Sequence, residues 1–266
     1  MDRIRKTVAD LQKTRGMRQL TMLHVKSLEE AAAAEAAGID LLSIIDPLWS
    51  PAMRAAAPTC FVIVGLLYGQ LATGDEYLRA AHHALNRGGD AVYCAASLET
   101  IARLRAEGIP VCGHAGLIPS KRTWTGGFRA VGTTHSTAML VYRQVRDLER
   151  AGAFAAEIEV VPDRVASEIS RRTSLLLLSM GAGRGCDAQY LFAEDVLGFT
   201  EGHRPRHAKV YRDFRSEFAR LQRERIAAFR EFSDDVRAGA YPAAEHVVGI
   251  ADAEFEAFLA EVDVQN

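Results

Sequence analysis

Cysteine is scarce and unpaired in this sequence. Cys60, Cys94, Cys112 and Cys186 are the only four in 266 residues, and no two form a CxxC pair. That spacing excludes a zinc ribbon, a thioredoxin-type motif and a disulfide scaffold. The four are expected to be free, buried thiols of a reducing compartment. Charge of one sign is also lacking: 32 Lys and Arg face 34 Asp and Glu, for a net −2. No global field exists to draw in nucleic acid or an anionic membrane, and neither is expected as a partner. Long apolar runs are missing as well. The longest, residues 60–68, is too short to span a bilayer. The opening MDRIRKTVADLQKTRG has no apolar centre, so no signal peptide is expected and the expected location is the cytoplasm. No repeat or low-complexity block interrupts the chain.

What is present is globular: 48% hydrophobic and 25% charged residues. Short apolar runs alternate with Ala-, Arg- and Glu-rich segments. Strands are expected over residues 20–24, 39–45, 60–67, 91–94, 110–113, 155–160, 174–180 and 190–192. Helices are expected over 27–37, 74–87, 98–107, 136–151 and 164–172, with a charged helical tail over 209–238. Ser27 with Glu30 three residues on reads as an N-cap, and Gly38 as a stop. Runs that do not strictly alternate suit strands buried on both faces. Strand–helix alternation then argues a parallel sheet, and this number of units argues a (β/α)8 barrel. No GxGxxG follows the first strand, which weakens a dinucleotide fold. One barrel domain over residues 1–266 with a C-terminal helical tail is expected.

Barrel active sites lie at the C-terminal ends of the strands. The polar residues there are Asp46 (LLSIIDP), His114 (VCGHAGL), and Glu157 with Glu159 (AAEIEVVP). A spacing of two puts both glutamates on one face. Barrel strands have no solvent-facing side, so an acid on an apolar strand points into the mouth or is buried at high cost. A partly desolvated glutamate acts as a base near neutral pH, and the enolate it makes needs a donor or positive partner. Candidates for that partner are His114, Lys121, Arg184 or a metal on Asp46. Each has a plainer reading: a turn-starting Asp46, a core His114, and GAGRG as a tight turn rather than a phosphate nest. Trp49 and Trp124 stand in loops near the expected mouth. His82 and His83 read as surface residues. The tail places Phe214, Phe218, Leu221, Ile226 and Phe229 at roughly helical spacing, as in an amphipathic helix packed on the barrel or on a neighbouring subunit.

Read in order, TVADLQKTRG, LTML, VCGHAGLIPS, GGFRAVG, LERAGAF, IEVVP, GAGRGCDAQ, EDVLG and AGAYPAAEH resemble the ketopantoate hydroxymethyltransferase family nearly end to end. The resemblance implies a TIM barrel of the phosphoenolpyruvate mutase/isocitrate lyase type, assembled as a homo-oligomer, a decamer in the family. It implies one-carbon transfer from 5,10-methylenetetrahydrofolate to 2-oxoisovalerate, a step of pantothenate biosynthesis, with Mg2+ holding the oxo acid. Glu159 matches the family's base and His114 its active-site histidine. The family's metal ligands are less well matched. Asp46 is kept, but Val64 falls at the second ligand position and Ala95 at the third. Tyr93 stands where the family has a substrate-binding lysine, and only residues 47–59 replace a longer loop. Asp46, Tyr93, Arg184 and Lys121 are the candidate substrate contacts. Three functions stay open: the hydroxymethyl transfer or a close variant, a lyase or hydrolase of the same superfamily on another oxo acid, and a non-catalytic small-acid-binding paralogue.

Overall fold

Apolar runs rich in Leu, Ile, Val and Ala supply eight strands, and all eight pair in parallel. The computed structural model describes residues 4–265. In it β1 (Leu20–His24), β2 (Leu41–Ile45), β3 (Phe61–Gly65), β4 (Ala91–Tyr93), β5 (Val111–Gly116), β6 (Ala155–Glu159), β7 (Leu176–Met180) and β8 (Ala188–Phe192) close in sequence order into a barrel. The eight-stranded barrel expected from the sequence is the fold observed. Helices α2 (Leu28–Ala36), α4 (Gly74–Asn86), α5 (Leu98–Ala106), α7 (His135–Arg150) and α8 (Asp163–Ser170) return the chain between strands. Ser27 caps α2 as expected, its side chain accepting from the Glu30 amide.

Alternation along each strand sorts two cores. Leu42, Ile44, Val62, Val64, Val92 and Ile158 pack outward under the helices. Leu20, Met22, Leu41, Phe61, Ile63 and Leu178 fill the barrel, joined by Leu11 of α1 (Val8–Lys13). The inward residues near the strand starts are all apolar, which leaves the polar ones at the opposite end.

Several boundaries differ from expectation. Strand β5 runs on to Gly116, so His114 lies inside the strand and not after it. Residues 47–59 are not bare loop but hold a 3-10 turn (Asp46–Leu48) and α3 (Pro51–Ala56), capped by Ser50. A 3-10 turn (Pro119–Lys121) and α6 (Arg122–Thr125) occupy the start of the long loop after β5. No helix joins β7 to β8, and α9 (Ala193–Leu197) after β8 is short.

The chain divides into two compact units, Met1–Arg212 and Asp213–Asn266. The first is the barrel. The second holds α10 (Phe214–Ala238) and α11 (Asp252–Gln265). The tail helix starts at Phe214 rather than 209 because the Asp213 side chain caps it through the Ser216 amide. Helix α11 was not anticipated. Phe232 packs on Tyr241 with ring centroids 5.5 Å apart. No described helix is long and apolar enough to cross a membrane.

Candidate active site

The strand register decides which side chains meet at the mouth. Glu157 pairs with His114 across β6 and β5, and Glu159 with Gly116. His24 pairs with Ser43 on one side and Phe192 on the other. Gly65 pairs with Tyr93. Odd positions on β6 and even positions on β5 face inward, so His114, Glu157 and Glu159 converge on one cavity of about 300 Å³. Gly113 lets α7 press close beneath His114. A Cβ there would lie 2.5 Å from Leu148 Cδ2.

His114 is the hub. Its side chain is 2% exposed. Tyr93 Oη lies 2.7 Å from His114 Nδ1. Glu157 Oε2 is 3.5 Å from the same nitrogen, and Glu159 Oε2 is 3.3 Å from Nε2. Among the described residues, His114 Nε2 is the only buried side-chain nitrogen or oxygen without a hydrogen-bond partner. Burial holds the Tyr93 phenol well above its ordinary value, with the Glu157 charge adding to it. A phenol so held keeps its proton at neutral pH and is available to donate it to Nδ1. With the phenol as donor, the imidazole N–H is the one at Nε2. Burial also pushes the Glu157 carboxyl up to about 7, with His114 opposing and Glu159 reinforcing the shift. So Glu157 exchanges a proton near neutrality.

Sequence reasoning missed the far wall. His24 faces Ser43 Oγ at 3.3 Å and stacks on Phe192 at 4.6 Å. Burial brings His24 down to about 4, with Lys26 contributing, so it is a neutral wall at neutral pH. Tyr190 also lines the cavity, its phenol raised well above the ordinary range by burial. Both His24 and Ser43 follow the inward alternation of Met22 and Leu41, which is the signal that would have found them.

The remaining candidates fall elsewhere. Asp46 does not line the cavity, and its carboxylate is paired with Arg87. Arg184 is a correction. It lines a separate surface groove with Arg15 and Arg18, and its carbonyl accepts from Gln19 Nε2. The strand β7–β8 connection runs past α8, the Asp163 carboxylate accepting from the Arg184 amide, and so carries Arg184 out of the mouth. Lys121 stops at the rim, its Nζ 3.3 Å from the Ala96 carbonyl and over the Tyr68 ring. Burial lowers its pKa. Val64 is also corrected. Its side chain packs outward in the shell beneath the helices, and Gly65 is the inward residue that lines the cavity. Trp49 is buried, donating Nε1 to the Ala84 carbonyl at 3.1 Å, and Trp124 is exposed. His82 and His83 are exposed, as expected.

The donor set does not suit the divalent ion that the resemblance implies. The two mouth positions beside Asp46 are Gly65 and Ala95, which offer no side-chain oxygen, and Asp46 itself is neutralised by Arg87. Among the described residues, no group of three or more His, Cys, Asp or Glu is arranged to hold a metal ion.

Fold and site together define a (β/α)8 barrel that presents two carboxylates and an imidazole to a small cavity at the strand ends. The sequence matches the family profile described as ketopantoate hydroxymethyltransferase over residues 48–244. It is 33% identical over 267 residues to 3-methyl-2-oxobutanoate hydroxymethyltransferase of Thermus thermophilus, covering 91% of this chain and 99% of that protein. It is 31% identical to the protein of the same name from Nitratidesulfovibrio vulgaris, covering 97% and 90%. The chain belongs to the ketopantoate hydroxymethyltransferase family. Among solved structures, 2,3-dimethylmalate lyase, a member of the PEP mutase/isocitrate lyase superfamily, aligns with a TM-score of 0.53 at 13% identity, over 98% of this chain and 100% of that one. A phosphoenolpyruvate phosphomutase from Streptomyces platensis subsp. rosaceus aligns at 0.50 and 12%, over 98% of each chain. At such identity the likeness concerns the fold.

Proposed function

We propose that this protein is an enzyme that forms or breaks a carbon–carbon bond at the carbon next to a carbonyl, with Glu159 as the general base. The observation that carries this is Glu159 at the mouth, 3.3 Å from the Nε2 of an imidazole whose own hydrogen bond at that atom is unmade. Glu159 removes the proton alpha to the carbonyl. The charge that develops on the carbonyl oxygen is met by the Nε2 proton of His114, held in that tautomer by Tyr93. The enolate carbon then attacks a one-carbon electrophile. In the forward family reaction that unit comes from 5,10-methylenetetrahydrofolate, here a co-substrate: water adds to its methylene, both carbon–nitrogen bonds break, tetrahydrofolate leaves, and the enolate carbon bonds to the formaldehyde-level carbon, whose oxygen takes a proton to complete the hydroxymethyl group. Glu157, poised near neutrality, supplies or takes the remaining proton. The relatives' printed name gives 3-methyl-2-oxobutanoate as their acceptor, and a small carbonyl compound of that size is the substrate class proposed here.

No step uses Mg2+. Exchange of the alpha proton for deuterium is therefore expected to proceed at the same rate with EDTA as with millimolar Mg2+. A rate that collapses on chelation and returns with the ion would contradict the donor set. The family implies a homo-oligomer and the sequence reading a cytoplasmic location, and both are retained as part of the proposal. The test of the base is direct. Glu159→Gln is expected to slow alpha-proton exchange by about 10²–10⁴-fold, the usual contribution of a positioned base. An unchanged rate would remove Glu159 from that role.

A further inference from the structure

The cavity that holds the base is unusual in its charge. Its ionisable lining residues are two carboxylates, Glu157 and Glu159, against one imidazole that touches both, the neutral His24, and three phenols, Tyr68, Tyr93 and Tyr190. Among the described residues, no lysine or arginine lines it. Of the basic groups nearby, His207 interacts with Glu159 but burial lowers its pKa, and three others have partners of their own. Lys121 Nζ is bound to the Ala96 carbonyl, Arg87 pairs with Asp46, and Lys26 pairs with Glu194. Tyr93 fills the place where the resemblance puts a substrate-binding lysine, and its phenol is spent on His114. Gly65 and Ala95 leave no ligands to bring a cation in with the substrate. Ser43 and Ser120 are the other polar lining residues, and Ile45, Leu66, Met180 and Phe192 make much of the rest apolar.

A carboxylate ligand entering this space would give up its water and meet two like charges, with at most one imidazolium between them. A carbonyl oxygen faces no such cost. It needs one donor, and His114 Nε2 is a buried nitrogen with that donor position unfilled. We infer that this site takes a small carbonyl compound bearing no carboxylate, and has lost the anionic 2-oxo acid as its substrate. The inference rests on the reading of Glu159 as the base, and narrows the substrate of that same site.

A matched pair of ligands tests it. 3-Methyl-2-oxobutanoate and its amide, 3-methyl-2-oxobutanamide, have nearly the same shape and differ in the charge beside the carbonyl. Both are titrated against the wild-type protein at pH 8 by calorimetry and by deuterium exchange at the carbon alpha to the oxo group. The expected result is binding and exchange of the amide, with the acid at least about tenfold weaker in both. Glu157→Gln, which removes one charge without changing shape, is expected to narrow that gap severalfold. Equal or tighter binding of the acid overturns the inference, as does failure of both compounds to bind. A gap that Glu157→Gln leaves unchanged overturns its electrostatic origin. Failure of the base reading looks different. There, Glu159→Gln exchanges whichever compound binds at the wild-type rate, and the preference between the two stands on its own.

Discussion

Glu157 stands in an environment that works against its charge. Its carboxyl rises to about 7 from an ordinary 4.5 because burial disfavours the charge. In the unfolded chain the group ionises through its ordinary value, while in the folded chain it stays protonated up to about 7. Stability attributable to this group therefore falls as pH climbs between those two values and is fully lost above the higher one. Glu157→Gln is expected to stabilise the protein at pH 8 by up to roughly 3 kcal/mol, an order-of-magnitude figure from that shift, and to leave it unchanged at pH 4. Urea unfolding at the two pH values checks this, and a variant less stable than wild type at pH 8 would contradict it. Tyr93→Phe addresses the next contact. It removes the 2.7 Å bond to His114 Nδ1. Alpha-proton exchange is expected to fall about tenfold, the worth of one such hydrogen bond, with folding intact by circular dichroism. At this scale the sequence pointed to the strand ends where the structure sets Glu159 and His114 against one cavity, an acid and an imidazole on otherwise apolar strands. It was misleading about Arg184 and Asp46. Their positions beside strand ends looked equivalent, but an ion pair claims Asp46 and the path of a connecting segment carries Arg184 away.

At the level of elements, strands were legible and their phases less so. Continuous apolar runs marked β2, β3 and β7, yet a strand buried on both faces carries no polar–apolar beat to say which residues face in. The resemblance sets Val64 at a ligand position, whereas the phase of the folded strand turns Val64 outward and Gly65 to the cavity. Two junctions around β5 and β6 show how tightly the site is framed. Gly113 sits under Leu148, and Gly113→Ala is expected to cost about 1–3 kcal/mol, as overpacking does, because the new methyl would push α7 away from His114. Immediately after Glu159, Val160 is held at a φ of +48°, a region that β-branched residues avoid. Two backbone bonds fix it there, Val160 N to Met180 O at 2.9 Å and Val131 N to Val160 O at 3.0 Å. This backbone turn is what directs the chain out of β6 beside the base. Val160→Gly is accordingly expected to melt higher than Val160→Ala, by about 1 kcal/mol, the reverse of the ordinary helix or strand preference. An alanine variant that melts above the glycine variant would show that the turn carries no such strain.

On the scale of the whole molecule, the alternation of strands and helices specified the barrel, because eight parallel strands of this length have few other ways to cover both faces. The helices beyond it were less legible. The span from β7 to β8 lacks a helix, α11 was unexpected, and no residue of α10 is buried. Phe229 and Phe232 of α10 remain largely exposed. Exposed apolar area of that kind, together with the homo-oligomer proposed above, leads to an expected solution mass that is a multiple of the 29.1 kDa chain. Light scattering behind a sizing column reads it, and a monomer at micromolar concentration would count against the homo-oligomer. The central claim is narrower: the mouth of this barrel is a site for removing a proton next to a carbonyl, with Glu159 as the base. The most direct measurement is deuterium incorporation by NMR into a panel of small carbonyl compounds, acids and their amides alike, with wild-type protein and with Glu159→Gln. Incorporation at the alpha carbon by the wild type, lost by at least about a hundredfold in the variant, is the expected result. Equal incorporation by both proteins, or none by the wild type on any compound, would contradict it.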